Sequence, residues 1–144
     1  MLREMLSKPT IGILESAITR SLLVGKRFGI ITTGSSYMYE RYNEIQSFMG
    51  AKSERFAGYI PTGLGVVELR EGDQGHVQRE VKKSSIRCAE AGADVIILGC
   101  AGMVGMEKLV QQGVVDAGMK PVKVVDGARA GVEILAGLVR LSQI

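Results

Sequence analysis

The 144-residue chain has no tryptophan, four tyrosines and three phenylalanines. It therefore lacks an aromatic platform on which nucleic-acid bases could stack. It has one histidine and two cysteines, Cys88 and Cys100, which stand twelve residues apart. That spacing matches no zinc motif, and no metal is expected. No apolar run approaches the roughly 18 residues that would suggest a membrane span. The opening Met1-Leu2-Arg3-Glu4-Met5-Leu6 carries an acid and no long apolar core, so it does not have the pattern of a secretory signal. The charge excess is small, +3. Arg79, Lys82, Lys83 and Arg87 share their segment with Glu80 and Glu90, which describes a solvated helix face better than a nucleic-acid patch. Neither a nucleic-acid nor a membrane partner is expected. Free thiols and few cysteines suit a reducing cytoplasm.

Hydrophobic residues make up 46% of the chain, enough for one domain with a real core. Four short apolar runs predict buried strands over Arg27–Thr32, Arg55–Ile60, Ala93–Leu98 and Val122–Val125. Thr10–Ile13 is a weaker candidate for a fifth. Helical stripes lie between them. Met38, Tyr42, Ile45 and Met49 form one, stopped at Gly50. Val77, Val81, Ser84, Cys88 and Ala91 form another, ended by Gly92. Ala128, Val132, Leu135 and Val139 form a third. The stretch Ile60–Leu69 is expected to be a loop with a short extended or helical piece, and Gln111–Lys120 a ragged helix end. Strands this apolar, alternating with helices, predict an α/β fold with a parallel sheet of about four strands and helices on both faces.

Ligands of open parallel sheets bind at the carboxyl ends of the strands. Here those ends are small or hydroxylic: Thr32-Thr33-Gly34-Ser35-Ser36, Gly99-Cys100-Ala101-Gly102 and Asp126-Gly127-Ala128, with Glu15-Ser16 after the candidate fifth strand. Each turn alone is explained as well by helix capping, for which Ser35 and Asp126 are good residues. Four on one edge favour a site. The glycines match neither a dinucleotide fingerprint nor a phosphate loop.

The two cysteines differ. Cys88 sits on an apolar helical stripe, where a small hydrophobe serves equally well. Cys100 ends a strand and opens a predicted helix, where the dipole favours a thiolate. Its glycine and alanine neighbours leave room for a substrate. These features alone leave a reactive thiol and a small buried hydrophobe equally open.

A resemblance decides between them. Gly99-Cys100-Ala101-Gly102-Met103, after Ala-Asp-Val-Ile-Ile-Leu, resembles the second cysteine motif of the hydantoin racemases of the aspartate/glutamate racemase superfamily. Lys26–Gly34 resembles that family's strand and threonine turn, Thr62–Leu69 its stretch after the next strand, and Val124–Gly127 its last strand and turn. The likeness runs from about residue 2 to the end and is closest in texture to fungal members. It implies cofactor-independent racemisation of hydantoins or allantoin-like ureides, with one thiolate removing a proton and a second thiol returning one. Cys100 would be one of that pair. The amides of Ala101 and Gly102 and the Thr33-Gly34-Ser35 turn would hold substrate oxygens, and Tyr37 could add a hydroxyl. The family's first cysteine precedes the segment that Leu2–Pro9 resembles. The chain is therefore expected to be one lobe, residues 1–144, of a two-lobed fold. Leu22, Leu23, Val24, Leu135 and Val139 would then be left exposed, favouring self-association into a homo-oligomer. The alternatives are a ureide- or carboxylate-binding module without turnover, and one-thiol decarboxylation or isomerisation.

Overall fold

A computed structural model describes residues 2–35 and 38–141, except for the side chains of Leu2, Met38 and Tyr39. In chain order the elements are α1 Leu2–Met5, α2 Ile13–Val24, β1 Phe28–Thr32, α3 Met38–Met49, β2 Phe56–Pro61, α4 Val66–Glu71, α5 Gln74–Glu90, β3 Val95–Leu98, a 3₁₀ turn Ala101–Met103, α6 Glu107–Asp116, β4 Lys123–Asp126 and α7 Gly127–Leu141. Among the described residues four strands pair, all parallel, in the order β2-β1-β3-β4. Each predicted strand is present, with its bounds moved by one or two residues.

Parallel strands covered on both faces must be apolar along their whole length. Accordingly every residue of β1 and β3 is buried. Alternation divides their side chains between two cores. Ile31, Ile96 and Leu98 face Val77, Val81 and Cys88 of α5 and Val110 and Val114 of α6. Ile30, Val95 and Ile97 face Ala17 and Ile18 of α2, Ile45 of α3 and Ala130 of α7. Each such isoleucine or valine contributes up to about 1.5–3 kcal/mol by leaving water.

Thr10–Ile13 does not form a strand; Thr10–Gly12 is irregular and α2 begins at Ile13. The Glu15 carboxylate reaches back to accept from the Gly12 amide at 2.8 Å, so that amide serves the helix start and not a sheet ladder. The Gly12 amide, with the Arg3 guanidinium at 2.5 Å, also holds the Glu15 carboxyl below the usual carboxylate range, against a smaller opposing effect of burial.

The third helical stripe is a helix as expected, and its Val139 is left exposed as expected. The side of α7 that is buried is Gly127, Ala130 and Gly131, while Val132 is 69% and Val139 45% exposed. Small residues allow α7 to approach α2 closely. Ser16 of α2 donates to the Gly127 carbonyl at 2.8 Å, and a Cβ at Gly127 would lie 2.6 Å from the Ile13 carbonyl oxygen. Of the residues expected at the surface, Leu23 is 81% and Val139 45% exposed and Leu135 is half-buried, whereas Leu22 and Val24 pack against the α2 side of the core.

The opposite, amino edge of the sheet is tied by charged side chains. Asp94 accepts from the amides of Lys26 and Arg27 at 2.8–3.0 Å. The Arg55 guanidinium donates to the carbonyls of Leu22, Gly25 and Lys26, and Lys123 donates to that of Val24. These bonds satisfy carbonyls left over at the end of α2.

Candidate functional site

The strand order places a topological switch between β1 and β3. From β1 the chain moves outward to β2, and from β3 it moves the other way to β4. Such a switch leaves a crevice at the carboxyl ends of the two central strands. The turns at this crevice are Thr33-Gly34-Ser35 after β1 and Gly99-Cys100-Ala101-Gly102 after β3. The register pairs Ile31 with Leu98, and the Gly99 amide donates to the Ile31 carbonyl at 2.8 Å, so the two turns leave the sheet side by side. Gly99 cannot carry a side chain there: a Cβ would lie 2.7 Å from Ile30 Cγ2 and 3.0 Å from the Ile31 carbonyl oxygen.

Cys100 is half-buried, and its side chain packs on the α5–α6 side of the sheet. The helix expected to open at this residue is only a three-residue 3₁₀ turn; Gly102 and Gly105 (φ +90°) intervene before α6 starts at Glu107. The thiol thus lacks a full helix end and is met instead by the Gly102 amide, 3.4 Å from Sγ. Ala101 is exposed and Gly102 half-buried. Val66 and Leu69 of α4 close over the turn: a Cβ at Gly102 would lie 3.5–3.6 Å from Leu69 Cδ1, Val66 Cγ1 and Cys100 Sγ.

The threonine turn is held from its other side. The Gly34 amide donates to the Leu64 carbonyl and the Thr62 amide to the Thr32 carbonyl, each at 2.8 Å, extending the β1–β2 ladder past the strands. Gly34 has φ +78°, a backbone that favours glycine. Because the Gly34 amide is committed to Leu64, the turn offers a ligand the side chains of half-buried Thr33 and exposed Ser35. Tyr37, like Ser36, lies outside the described residues.

The other two hydroxylic turns have structural partners. Asp126 Oδ1 accepts from the amides of Ala128 and Arg129 at 2.8 and 3.2 Å, which is capping of α7. Ser16 is fully buried and bonded to the carbonyls of Ile13 and Gly127.

Cys88 is sealed in α5. Burial pushes its thiol up to about 12, and its sulfur fills the space beside Gly29.

Sequence reasoning missed a cavity of about 290 Å³ on the α2–α3 side of the same crevice. Ala17, Ile30, Ile97 and Leu98 line its inner part, Tyr59 and Arg41 its outer part, and Gly99 and Ala101 of the cysteine turn also border it. Its residues come from α2, α3 and three strands, so no local pattern marks it. A more open cleft of about 610 Å³ runs past Arg3, Thr10 and Glu15 and includes none of the expected site residues. Among the described residues no helix is long and apolar enough to cross a membrane.

The fold and crevice define an open parallel α/β protein with a thiol at its switch point. The chain matches the Asp/Glu/hydantoin racemase family over residues 1–135, and it belongs to that family. A Schizosaccharomyces pombe protein of uncharacterised function is 36% identical over 98% of the chain and 58% of its own length. The hydantoin racemase of Rhizobium meliloti is 31% identical over 94% of the chain and 53% of its own length. Among solved structures, the allantoin racemase of Pseudomonas fluorescens superposes with a TM-score of 0.77 at 30% identity, covering 95% of this chain and 55% of that one. That of Klebsiella pneumoniae gives 0.77 at 28%, covering 93% and 51%. The chain thus spans about half the length of the relatives it matches.

Proposed function

We propose that this chain supplies one catalytic lobe of a racemase acting on cyclic ureides, 5-substituted hydantoins or allantoin-like compounds, with Cys100 as an acid–base thiol and no cofactor. The observation that supports the reading most is the position of Cys100: half-buried, at the carboxyl end of β3, beside the Thr33 turn at the switch point. The names of the relatives, hydantoin racemase and allantoin racemase, point to the substrate class.

The chemistry sets the other roles. Removal of the proton at C5 leaves a planar carbanion whose charge spreads to the neighbouring carbonyl oxygen. Donors must meet that oxygen. Ala101 would offer its amide, and Thr33, Ser35 and Tyr37 hydroxyls; the Gly102 amide, 3.4 Å from Cys100 Sγ, would hold the thiolate, and the glycine at 34 shapes the turn. The proton must then return from the opposite face, which requires a second group. Cys88 does not suit that role, being sealed in the core. In this reading the second thiol lies outside these 144 residues. Two unpaired thiols suit a reducing compartment such as the cytoplasm.

One observation favours a second reading. Of the two cysteines only Cys100 is accessible, and one thiol suffices for decarboxylation, for isomerisation or for ligand binding without turnover. Solvent exchange separates the readings. With an enantiopure hydantoin or allantoin in D₂O and the partner lobe supplied, a racemase incorporates deuterium at C5 as optical rotation falls. Binding without incorporation would overturn the racemase reading.

A further inference from the structure

The segment Thr62–Leu69 touches both turns of the site. The Gly34 amide of the threonine turn donates to the Leu64 carbonyl at 2.8 Å. Val66 and Leu69 of α4 stand over Gly102, the residue whose amide meets the Cys100 sulfur. On the reading of Cys100 as an acid–base thiol, whatever fixes this segment fixes the geometry of the reacting groups. α4 is poorly equipped to hold itself in place. It has six residues, too few for a helix to be stable alone. Leu69 is its one buried residue, while Val66 and Val67 are more than half exposed. At Gly63 and Gly65 a Cβ would meet nothing within 4 Å, so the approach to α4 is open as well.

We propose that Glu68 is the positioning residue of the Cys100 site, fastening α4 as the wall over the thiol turn. Its carboxylate reaches back to accept from the Gly65 amide at 3.2 Å, which closes the first turn of α4. The other carboxylate oxygen lies 3.7 Å from His76 Nε2 on α5. α5 is a fixed reference for α4. It is 17 residues long, packs in the core through Val77 and Val81, and is capped by Asp73, which accepts from the His76 amide at 2.6 Å. Glu68 and His76 are each nearly half exposed, so their attraction adds little, and the bond to Gly65 carries the hold. Glu68 acts through its neighbours: Val66 and Leu69 over the thiol turn, and Leu64 on the threonine turn.

The test reads the thiol itself and does not depend on turnover. Alkylation of Cys100 by iodoacetamide in the native protein is compared for wild type, Glu68→Gln and Glu68→Ala, with peptide mass spectrometry separating Cys100 from Cys88. Glu68→Ala loses the hold on Gly65 and should raise the Cys100 rate about fivefold, the scale of one lost cap. Glu68→Gln keeps an oxygen that accepts from Gly65 and should stay within about twofold of wild type, the scale of an exposed ion pair. Cys88 should stay unmodified in all three. An unchanged Cys100 rate in Glu68→Ala, or equal rates in the two variants, would overturn the proposal. So would labelling of Cys88 alongside Cys100 in Glu68→Ala, since the whole fold and not α4 would then have loosened. With the partner lobe supplied, Glu68→Ala should lower kcat for exchange at C5 with KM little changed; a rise in KM alone would also count against the proposal. If the wild-type protein exchanges no hydantoin, the racemase reading of Cys100 fails, and the alkylation rates still decide whether Glu68 holds α4.

Discussion

The Gly99 amide donates to the Ile31 carbonyl at 2.8 Å, the last bond of the β1–β3 ladder before both strands turn away. This bond places the turn carrying Cys100 next to the turn carrying Thr33. It forms because β1 and β3 are neighbours in space although β2 lies between them in sequence. Chemistry at this edge therefore depends on the strand order as much as on the residues themselves.

The two thiols should differ sharply in reactivity. In the native protein, N-ethylmaleimide at pH 7 to 8 should modify Cys100 and leave Cys88 untouched, since the thiolate is the nucleophile and Cys88 is buried with its thiol pushed up to about 12. Peptide mass spectrometry in native buffer and after denaturation checks this. Comparable labelling of both cysteines in the native state would contradict the packing described.

Gly29 and Cys88 should be coupled. A Cβ at Gly29 would overlap the Cys88 sulfur and lie 3.3 Å from Ala93 Cβ. Gly29→Ala should cost about 1–3 kcal/mol, the usual scale of overpacking. Cys88→Ala in the same protein should recover much of that loss, as a double-mutant cycle of denaturation midpoints would show. Additive losses would mean that the two residues do not share the space.

Acid should loosen the ends of α2. Burial pushes the Asp94 carboxyl up, but the amides of Lys26, Arg27 and Asp94 itself, with Lys123, together outweigh it and hold the group below its usual range. Glu15 is also depressed. A carboxyl with a lowered folded-state value adds stability above its unfolded value, about 3.9 for Asp, and that stability is lost as pH falls through the folded value. Thermal midpoints should therefore fall below about pH 4. Asp94→Asn should lower the midpoint at pH 7 and flatten the acid limb. An unchanged acid limb would show that Asp94 is not held as described.

The exposed apolar residues of α7 should drive association. Val132 and Val139 share one face at a spacing of seven, Leu138 and Leu141 lie on another towards the end of the helix, and all four are more than 40% exposed. Sedimentation should show concentration-dependent self-association, reduced in a Val132→Glu, Leu138→Lys variant. A monodisperse monomer at high concentration would contradict this.

Much of the fold was legible because β1 and β3 are buried on both faces and so read as unbroken apolar runs. The errors have specific causes. Thr10-Ile11 has strand-like residues, but Glu15 takes the amide of Gly12 for a helix start. The face by which α7 packs, glycine and alanine against Ser16, carries no hydropathy signal, because the contact is set by closeness of approach. At the site, the small turns were legible as residues. The commitment of the Gly34 amide to Leu64, and the cavity shared by α2, α3 and three strands, depend on contacts that no local window contains.

The most direct test of the central claim is deuterium exchange at C5 of an enantiopure substrate by wild-type protein and by Cys100→Ser, with any partner lobe supplied identically to both. The account predicts exchange in the wild type and its loss in the variant, with the variant still folded and still binding the hydantoin. Equal exchange in both proteins would contradict it.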